Sequence, residues 1–184
     1  MLSVSFAGVG GQGIVLAGVV LGEAAVSAGL WACQSAAYTV AARGGFTRSE
    51  VLISASPLAC PLAEEVDVVV ALAGLGWEAE CRRLRRGGLG LAELSEVDPA
   101  AGRGEVRVSL VPFARIAAEA GADRSANVVA VGVLAGLTGA VPREALLAAV
   151  HRHLGAARAA PAALVAGLET GAKLRETEGV TVEF

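Results

Sequence analysis

The sequence predicts an α/β protein: a single Rossmann-like domain over residues 1–184, with a mostly parallel sheet flanked by helices and a helical C-terminal third. Three observations predict it. An alternating apolar run ends in a glycine cluster that opens a helix, Leu2-Ser3-Val4-Ser5-Phe6-Ala7-Gly8-Val9-Gly10-Gly11-Gln12-Gly13-Ile14. A continuous apolar run, Val66-Asp67-Val68-Val69-Val70-Ala71-Leu72, has the composition of a parallel strand buried on both faces. Beyond Phe113, proline starts and glycine stops bracket successive helix-compatible stretches.

In chain order, Leu2, Val4 and Phe6 share one face of the first strand. In the helix that follows, Gly18, Gly22, Ala25 and Gly29 recur at roughly helical spacing. Glycine inside a helix costs about 1 kcal/mol relative to alanine, so Gly18 and Gly22 predict close approach to the sheet. Gly29 is placed as a left-handed cap. Trp31–Ser35 reads as a second strand, Arg43–Ser49 as a loop, and Glu50–Ser54 as a strand bounded by Pro57. Val66–Leu72 is the next strand, with Asp67 at its entry. A helix is expected from about Trp77 to before Gly87-Gly88. Its arginines Arg82, Arg83, Arg85 and Arg86 then form a solvated helix end. Residues 87–106 are rich in Gly and Glu and weakly patterned. Glu105–Leu110 alternates as a strand, with Val106, Val108 and Leu110 on one face. Helices follow over Phe113–Gly121, from Val128 to about Leu137, and from Pro142 and Pro161. Residues 179–184 form a tail or a late edge strand.

Hydrophobic residues make up 54% of the chain and charged residues 18%, against roughly 25% charged in ordinary globular chains. So little polar material implies that part of the surface is buried in a partner. The formal net charge of −3, with no long basic run interleaved with aromatics, argues against nucleic acid and an anionic membrane surface as partners. Cys33, Cys60 and Cys81 are too few and too far apart for a disulfide framework or a C-x-x-C site, so they read as reduced, cytoplasmic cysteines. The N-terminus enters the first strand directly, and the apolar stretch Val128–Val141, interrupted by glycines and Thr138, is short for a membrane span.

Gly8, Gly10 and Gly13 satisfy G-x-G-x-x-G, which can aim backbone amides and a helix N-terminus at an anion such as a pyrophosphate. The same turn can serve only to pack helix on strand. A dinucleotide site also needs an acidic residue about 20 positions on to hold the ribose, and the chain has Ala32-Cys33-Gln34-Ser35 there. In Arg43-Gly44-Gly45-Phe46-Thr47-Arg48-Ser49, two glycines, two arginines and two hydroxyls suit a phosphate or carboxylate, or form a hairpin turn with solvated arginines. His151 and His153, two apart on a helix, point different ways and lack a third ligand. No nucleophile elbow or Walker lysine is present, so no self-sufficient catalytic set is found.

Gly8-Val9-Gly10-Gly11-Gln12-Gly13, Ala17-Gly18, Leu21-Gly22-Glu23-Ala24-Ala25, the Arg43-Gly44-Gly45 loop running into Ser49-Glu50-Val51, and the Asn127 helix together resemble the gamma subunit of 2-oxoacid:ferredoxin oxidoreductases, the pyruvate, 2-oxoglutarate, ketoisovalerate and indolepyruvate enzymes. The chain departs from the family's usual pattern before the Arg-Gly-Gly loop and around Pro161–Leu164, where a Tyr-Gly pair and an asparagine are common. The resemblance implies a cytoplasmic subunit that is not catalytic alone. The complex would convert a 2-oxoacid to acyl-coenzyme A and reduce ferredoxin. Thiamine diphosphate, Mg and iron–sulfur clusters would lie in alpha, beta and ferredoxin-like delta partners, and coenzyme A would be the co-substrate. Gly8, Gly10, Gly11, Gln12 and Gly13 would form one loop, and Arg43, Gly44 and Gly45 another, at coenzyme A phosphates or a subunit junction. The alternatives are a non-catalytic assembly scaffold and a free-standing NADP- or flavin-binding domain.

Overall fold

A computed structural model describes residues 1–39, 45–59, 63–98, 106–155 and 159–178. Six strands form one sheet in the order β2-β3-β1-β4-β5-β6: β1 Leu2–Val9, β2 Trp31–Tyr38, β3 Phe46–Ser54, β4 Val66–Ala71, β5 Leu84–Glu93 and β6 Arg107–Val111. β1, β4, β5 and β6 pair in parallel, and β3 runs antiparallel to both its neighbours, β1 and β2. The sheet is therefore mostly parallel in strand direction, with one reversed strand inserted beside β1. The helices are α1 Ile14–Ser27, α2 Gly74–Glu80, α3 Phe113–Glu119, α4 Ala126–Thr138, α5 Arg143–Leu154 and α6 Ala160–Glu178.

Alternation in β1 sends Leu2, Val4 and Phe6 to one face, where they join Val68, Val70, Leu89 and Leu91 in a core closed by α1, α3, α4, α5 and α6. The opposite face is covered by α2 and its following turn, with Trp77 among Val66, Val69, Leu84 and Ala92. α1 ends as the sequence predicts, with Gly29 at φ 82°. An added Cβ at Gly18 would collide with Ser49 Oγ on β3, so this glycine is required for close approach. At Gly22 the nearest atom would be a Val51 methyl at 3.8 Å, an ordinary contact, so close approach does not explain that glycine.

α4 and α6 cross more tightly than any pair the sequence announces. Added Cβ atoms at Gly132 and Gly136 of α4 would meet the Leu164 and Leu168 carbonyls, and those at Gly167 and Gly171 of α6 the Val129 and Val133 carbonyls. Each helix presents a small-x-x-x-small step, and the backbones pack directly on each other.

Several elements depart from expectation. The helix sought from Trp77 to Arg86 stops at Glu80 and continues as a 3-10 turn, Cys81–Arg83. β5 then starts at Leu84 and carries the unpatterned glycines. The physical reason is Trp77, whose ring lies where a Cβ on Gly90 would be, so the strand passes beneath it only as glycine. The arginines are not simply a solvated helix end, because Arg83 and Arg85 are ion-paired to buried carboxylates. β2 and β3 extend further than Trp31–Ser35 and Glu50–Ser54, because they pair continuously from Trp31↔Ser54 to Tyr38↔Thr47. Phe46–Ser49, read as loop, is strand. α4 starts at Ala126, so Asn127 lies inside its first turn. Cys60 and residues 179–184 lie outside the described residues.

Candidate functional site

From β1 the chain passes through α1 to the β2–β3 side of the sheet, while β4 lies on the other side. The carboxyl ends of β1 and β4 therefore mark the point where strand order reverses, the usual place for a ligand crevice in an open α/β sheet. Leu72 N donates to Ala7 O across this point (2.9 Å). Gln12 straddles it: Val9 N donates to its Oε1 (2.9 Å), and its Nε2 donates to Leu72 O (3.0 Å).

Each glycine of the loop has a separate reason. A Cβ at Gly8 would strike the Gln12 amide. Gly11 (φ 93°) and Gly13 (φ 72°) occupy the left-handed region that L side chains avoid. Gly13 is also the residue before α1 and is roofed by Asn127, whose Nδ2 donates to Gly13 O (3.1 Å). Gly10 N donates to Gly45 O (2.9 Å). Gly8, Gly10, Gly11, Gln12, Gly13 and Gly45 are thus brought to one place, as the two glycine motifs suggest. Arg43 and Gly44 lie outside the described residues.

α1 begins with no side-chain cap and no acidic residue in its first turn. Among the described residues no side chain accepts from its first amides, and its dipole end favours an anion. Two cavities adjoin this end, and Gly11, Gly13 and Leu16 line both. One is a cleft of about 410 Å³ that also holds Gln12, Glu93, Glu96, Asp123, Arg124 and Asn127. The other is an apolar groove of about 670 Å³ along Ile14, Val15 and Val19, with Thr47 and His153 at its rim. Glu93 in the cleft is already committed: its Oε2 accepts Ala114 N at the start of α3 (3.0 Å) and its Oε1 accepts Ser95 Oγ (3.2 Å). Among the residues lining the cleft are three carboxylates, Glu93, Glu96 and Asp123, one arginine, Arg124, and two serines, Ser95 and Ser125.

A second group of polar residues lies on the α2 face. Arg83 pairs with Glu50 (2.7 Å) and Glu80 (2.8 Å), both almost fully buried, and donates to the carbonyls of Ala63 and Glu64. Burial opposes the charge on Arg83, but its hydrogen bonds to Glu50 and Glu80 and the negative charges of both together outweigh that and hold its pKa above the ordinary arginine value. Arg48 also reaches Glu80 (3.2 Å), as does Ser5 Oγ (2.8 Å). These groups satisfy one another and open to no cavity described above.

The sequence reading missed Glu93, Glu96, Asp123 and Arg124 as cleft residues. For Glu93 a signal existed: it ends a Leu89-Gly90-Leu91-Ala92 alternation, and strand ends of a parallel sheet line the crevice. The other three stand in turns, exposed, and carry no pattern. The fold also explains the missing ribose carboxylate. β3 separates β2 from β1, so the end of the second strand lies about 10 Å from the glycine loop and not beside it. His153 meets Glu23 of α1 and not His151. Among the described residues, no three His, Cys, Asp or Glu side chains converge as metal ligands would, and no helix is long and apolar enough to cross a membrane.

Residues 3–170 match the family described as pyruvate ferredoxin/flavodoxin oxidoreductase. A 2-oxoglutarate synthase subunit, KorC, from Methanothermobacter thermautotrophicus is 36% identical over 145 residues, covering 75% of this chain and 77% of the relative. The crystal structure of the keto/oxoacid ferredoxin oxidoreductase gamma subunit from Geobacter sulfurreducens superposes with a TM-score of 0.79 at 29% identity, over 94% of this chain and 97% of that one. The same fold forms 32% of a longer chain in the Magnetococcus marinus 2-oxoglutarate:ferredoxin oxidoreductase, solved with 2-oxoglutarate, coenzyme A and succinyl-CoA bound, with a TM-score of 0.80 at 24% identity over 99% of this chain. The chain belongs to the pyruvate ferredoxin/flavodoxin oxidoreductase family, as a gamma-type subunit of the 2-oxoacid:ferredoxin oxidoreductases.

Proposed function

We propose that this gamma-type chain acts as one domain over residues 1–184 and presents its two glycine loops to the phosphates of coenzyme A, at a junction with the larger subunits of its complex. The observation that carries this reading is the Gly10–Gly45 hydrogen bond. It ties the Gly8–Gly13 loop to the end of the Arg43-Gly44-Gly45 segment, beside an α1 N-terminus with no cap of its own. Amides and a helix dipole there favour an anion, and Arg43 would supply a cation that pairs with phosphate. The adjoining apolar groove suits the uncharged parts of the same molecule.

The complex would convert a 2-oxoacid and coenzyme A to acyl-coenzyme A with reduction of ferredoxin. Its thiamine diphosphate, Mg and iron–sulfur clusters would reside in alpha, beta and delta partners, in the cytoplasm. This chain's own part is to bind and orient. A second reading, that the chain is an assembly scaffold, is favoured by Gln12 and Asn127, which spend their amides on holding the loop in shape.

Replacing Arg43 by alanine in the reconstituted complex separates the two readings. Hydrogen bonds to charged groups are worth about 1.5–3 kcal/mol, so the KM for coenzyme A should rise about 10–100-fold while the subunits remain assembled. An intact complex with an unchanged KM would leave the scaffold reading standing.

A further inference from the structure

β2 is an edge strand of unusual character. Its eight residues, Trp31-Ala32-Cys33-Gln34-Ser35-Ala36-Ala37-Tyr38, include no charge, no proline and no glycine, and its pairing with β3 has no bulge. Natural edge strands are normally short, charged or bulged, which blocks pairing with another chain. The opposite edge follows that rule: β6 has five residues and opens with Arg107.

The direction of β2's hydrogen bonds follows from one contact. Thr39 N donates to Phe46 O, so in this unbroken antiparallel ladder the odd-numbered residues bond to β3. Ala32, Gln34, Ala36 and Tyr38 therefore turn their N–H and C=O groups to the open edge. Apolar exposure gathers at the same edge. Of seven large hydrophobic residues exposed among the described residues, Val15, Val26, Trp31 and Tyr38 lie on α1 or β2, with Trp31 54% and Tyr38 70% accessible. Between the two elements runs a shallow, mostly apolar groove lined by Val19, Gly22, Val26, Ala32 and Gln34, with Glu23, which is ion-paired to α5, also on its wall.

We propose that β2 pairs antiparallel with β2 of a second copy of this chain, joining two sheets into one and laying α1 beside its counterpart. A two-fold axis across the strand pairs residue i with residue j of the copy and brings only those near the axis close to their own copies, so a charge near the axis would face itself. A strand with no charge at eight positions meets that requirement. The strand is about 26 Å long and the layer of strand plus helix about 15 Å deep. That is roughly 400 Å² per copy, half of a standard interface, so association in the micromolar range is expected.

Sedimentation velocity of the full chain over about 1–100 µM tests the proposal. The wild type should shift from monomer to dimer across that range. Ala36→Pro removes an outward N–H that β3 does not use, and Ala36→Lys sets a charge from each copy beside the axis. Each should weaken the dimer by at least about tenfold, with far-UV circular dichroism and thermal midpoint confirming that the variant is folded. Hydrogen exchange should show concentration-dependent protection of the Ala32, Gln34, Ala36 and Tyr38 amides. A wild type that stays monomeric, or a dimer indifferent to both variants, overturns the proposal. So does protection that arises only when the larger subunits are added, which would assign the edge to them. Coenzyme A kinetics of the complex play no part in this readout, so its failure leaves the loop assignment untouched.

Discussion

The two faces of the sheet are built by the same strands on opposite terms. On the α1 side, Leu2, Val4, Phe6, Val68, Val70, Leu89 and Leu91 meet five helices, and stability there scales with apolar area. On the α2 side, alternate residues of those strands include Ser3, Ser5 and Asp67, joined by Glu50 from β3, under one short helix and a turn. Among the described residues, its three buried carboxylates, Asp67, Glu50 and Glu80, are each matched. Asp67 accepts from Ser3 N (2.6 Å), Ser3 Oγ (2.7 Å) and Arg85. Glu50 accepts from Ala63 N (2.8 Å) and Arg83, and Glu80 from Ser5, Arg48 and Arg83. The apolar face tolerates any filling of the right volume and shape, whereas the α2 face, beside its smaller apolar cluster around Trp77, carries polar ties that hold only while each partner is present.

The sharpest break of this contrast is Arg83→Met. It leaves Glu50 with a single amide donor and Glu80 without its shorter ion pair, so unfolding in urea should show a loss of about 3–5 kcal/mol. Adding Glu50→Gln and Glu80→Gln to it should recover much of that loss, since the buried charges go with their partner. A single-variant cost below about 1 kcal/mol would mean that the two faces do not differ as described. The apolar face has its own weak point at the α4–α6 crossing. Gly136→Ala drives a methyl into the Leu168 carbonyl, and overpacking of this kind costs about 1–3 kcal/mol. The same substitution at Gly22, where the space is open, should cost nothing and slightly stabilise α1.

Legibility in the sequence divides along similar lines. β1, α1, β4 and the last four helices can be read because periodicity and caps act locally: Leu2, Val4 and Phe6 alternate, Gly29 closes α1, and Pro142 and Pro161 stand at helix starts. β5 leaves only a faint signal, because Gly88 and Gly90 alternating with Leu89 and Leu91 supply none of the polar contrast that usually marks a strand. Glu50 gives no local sign of being buried, since its partner Arg83 is 33 residues away. Both glycine motifs stand out in the sequence, and for the first the reason is left-handed backbone at Gly11 and Gly13, which admits few other residues. Their contact through Gly10 and Gly45 depends on β1 and β3 being neighbours, which spacing cannot announce. The exposed charges at the cleft mouth, Glu96, Asp123 and Arg124, belong to turns whose position is set by the whole fold.

The smallest expected effect lies where a charged contact is exposed. Glu23 of α1 meets Arg152 and His153 of α5, with the arginine side chain 64% accessible. Water and salt screen such pairs, and two long side chains lose freedom in forming them. Glu23→Gln should therefore change unfolding free energy by no more than about 0.5 kcal/mol, and by less at about 1 M salt. α1 and α5 are already held by Leu21, Ala24, Leu146 and Val150 in the apolar core, so the pair adds little to their docking. A loss above about 2 kcal/mol would show instead that the helical layer depends on a polar tie of the kind found beneath α2. The contrast between the two faces would then be one of position alone and not of physical principle.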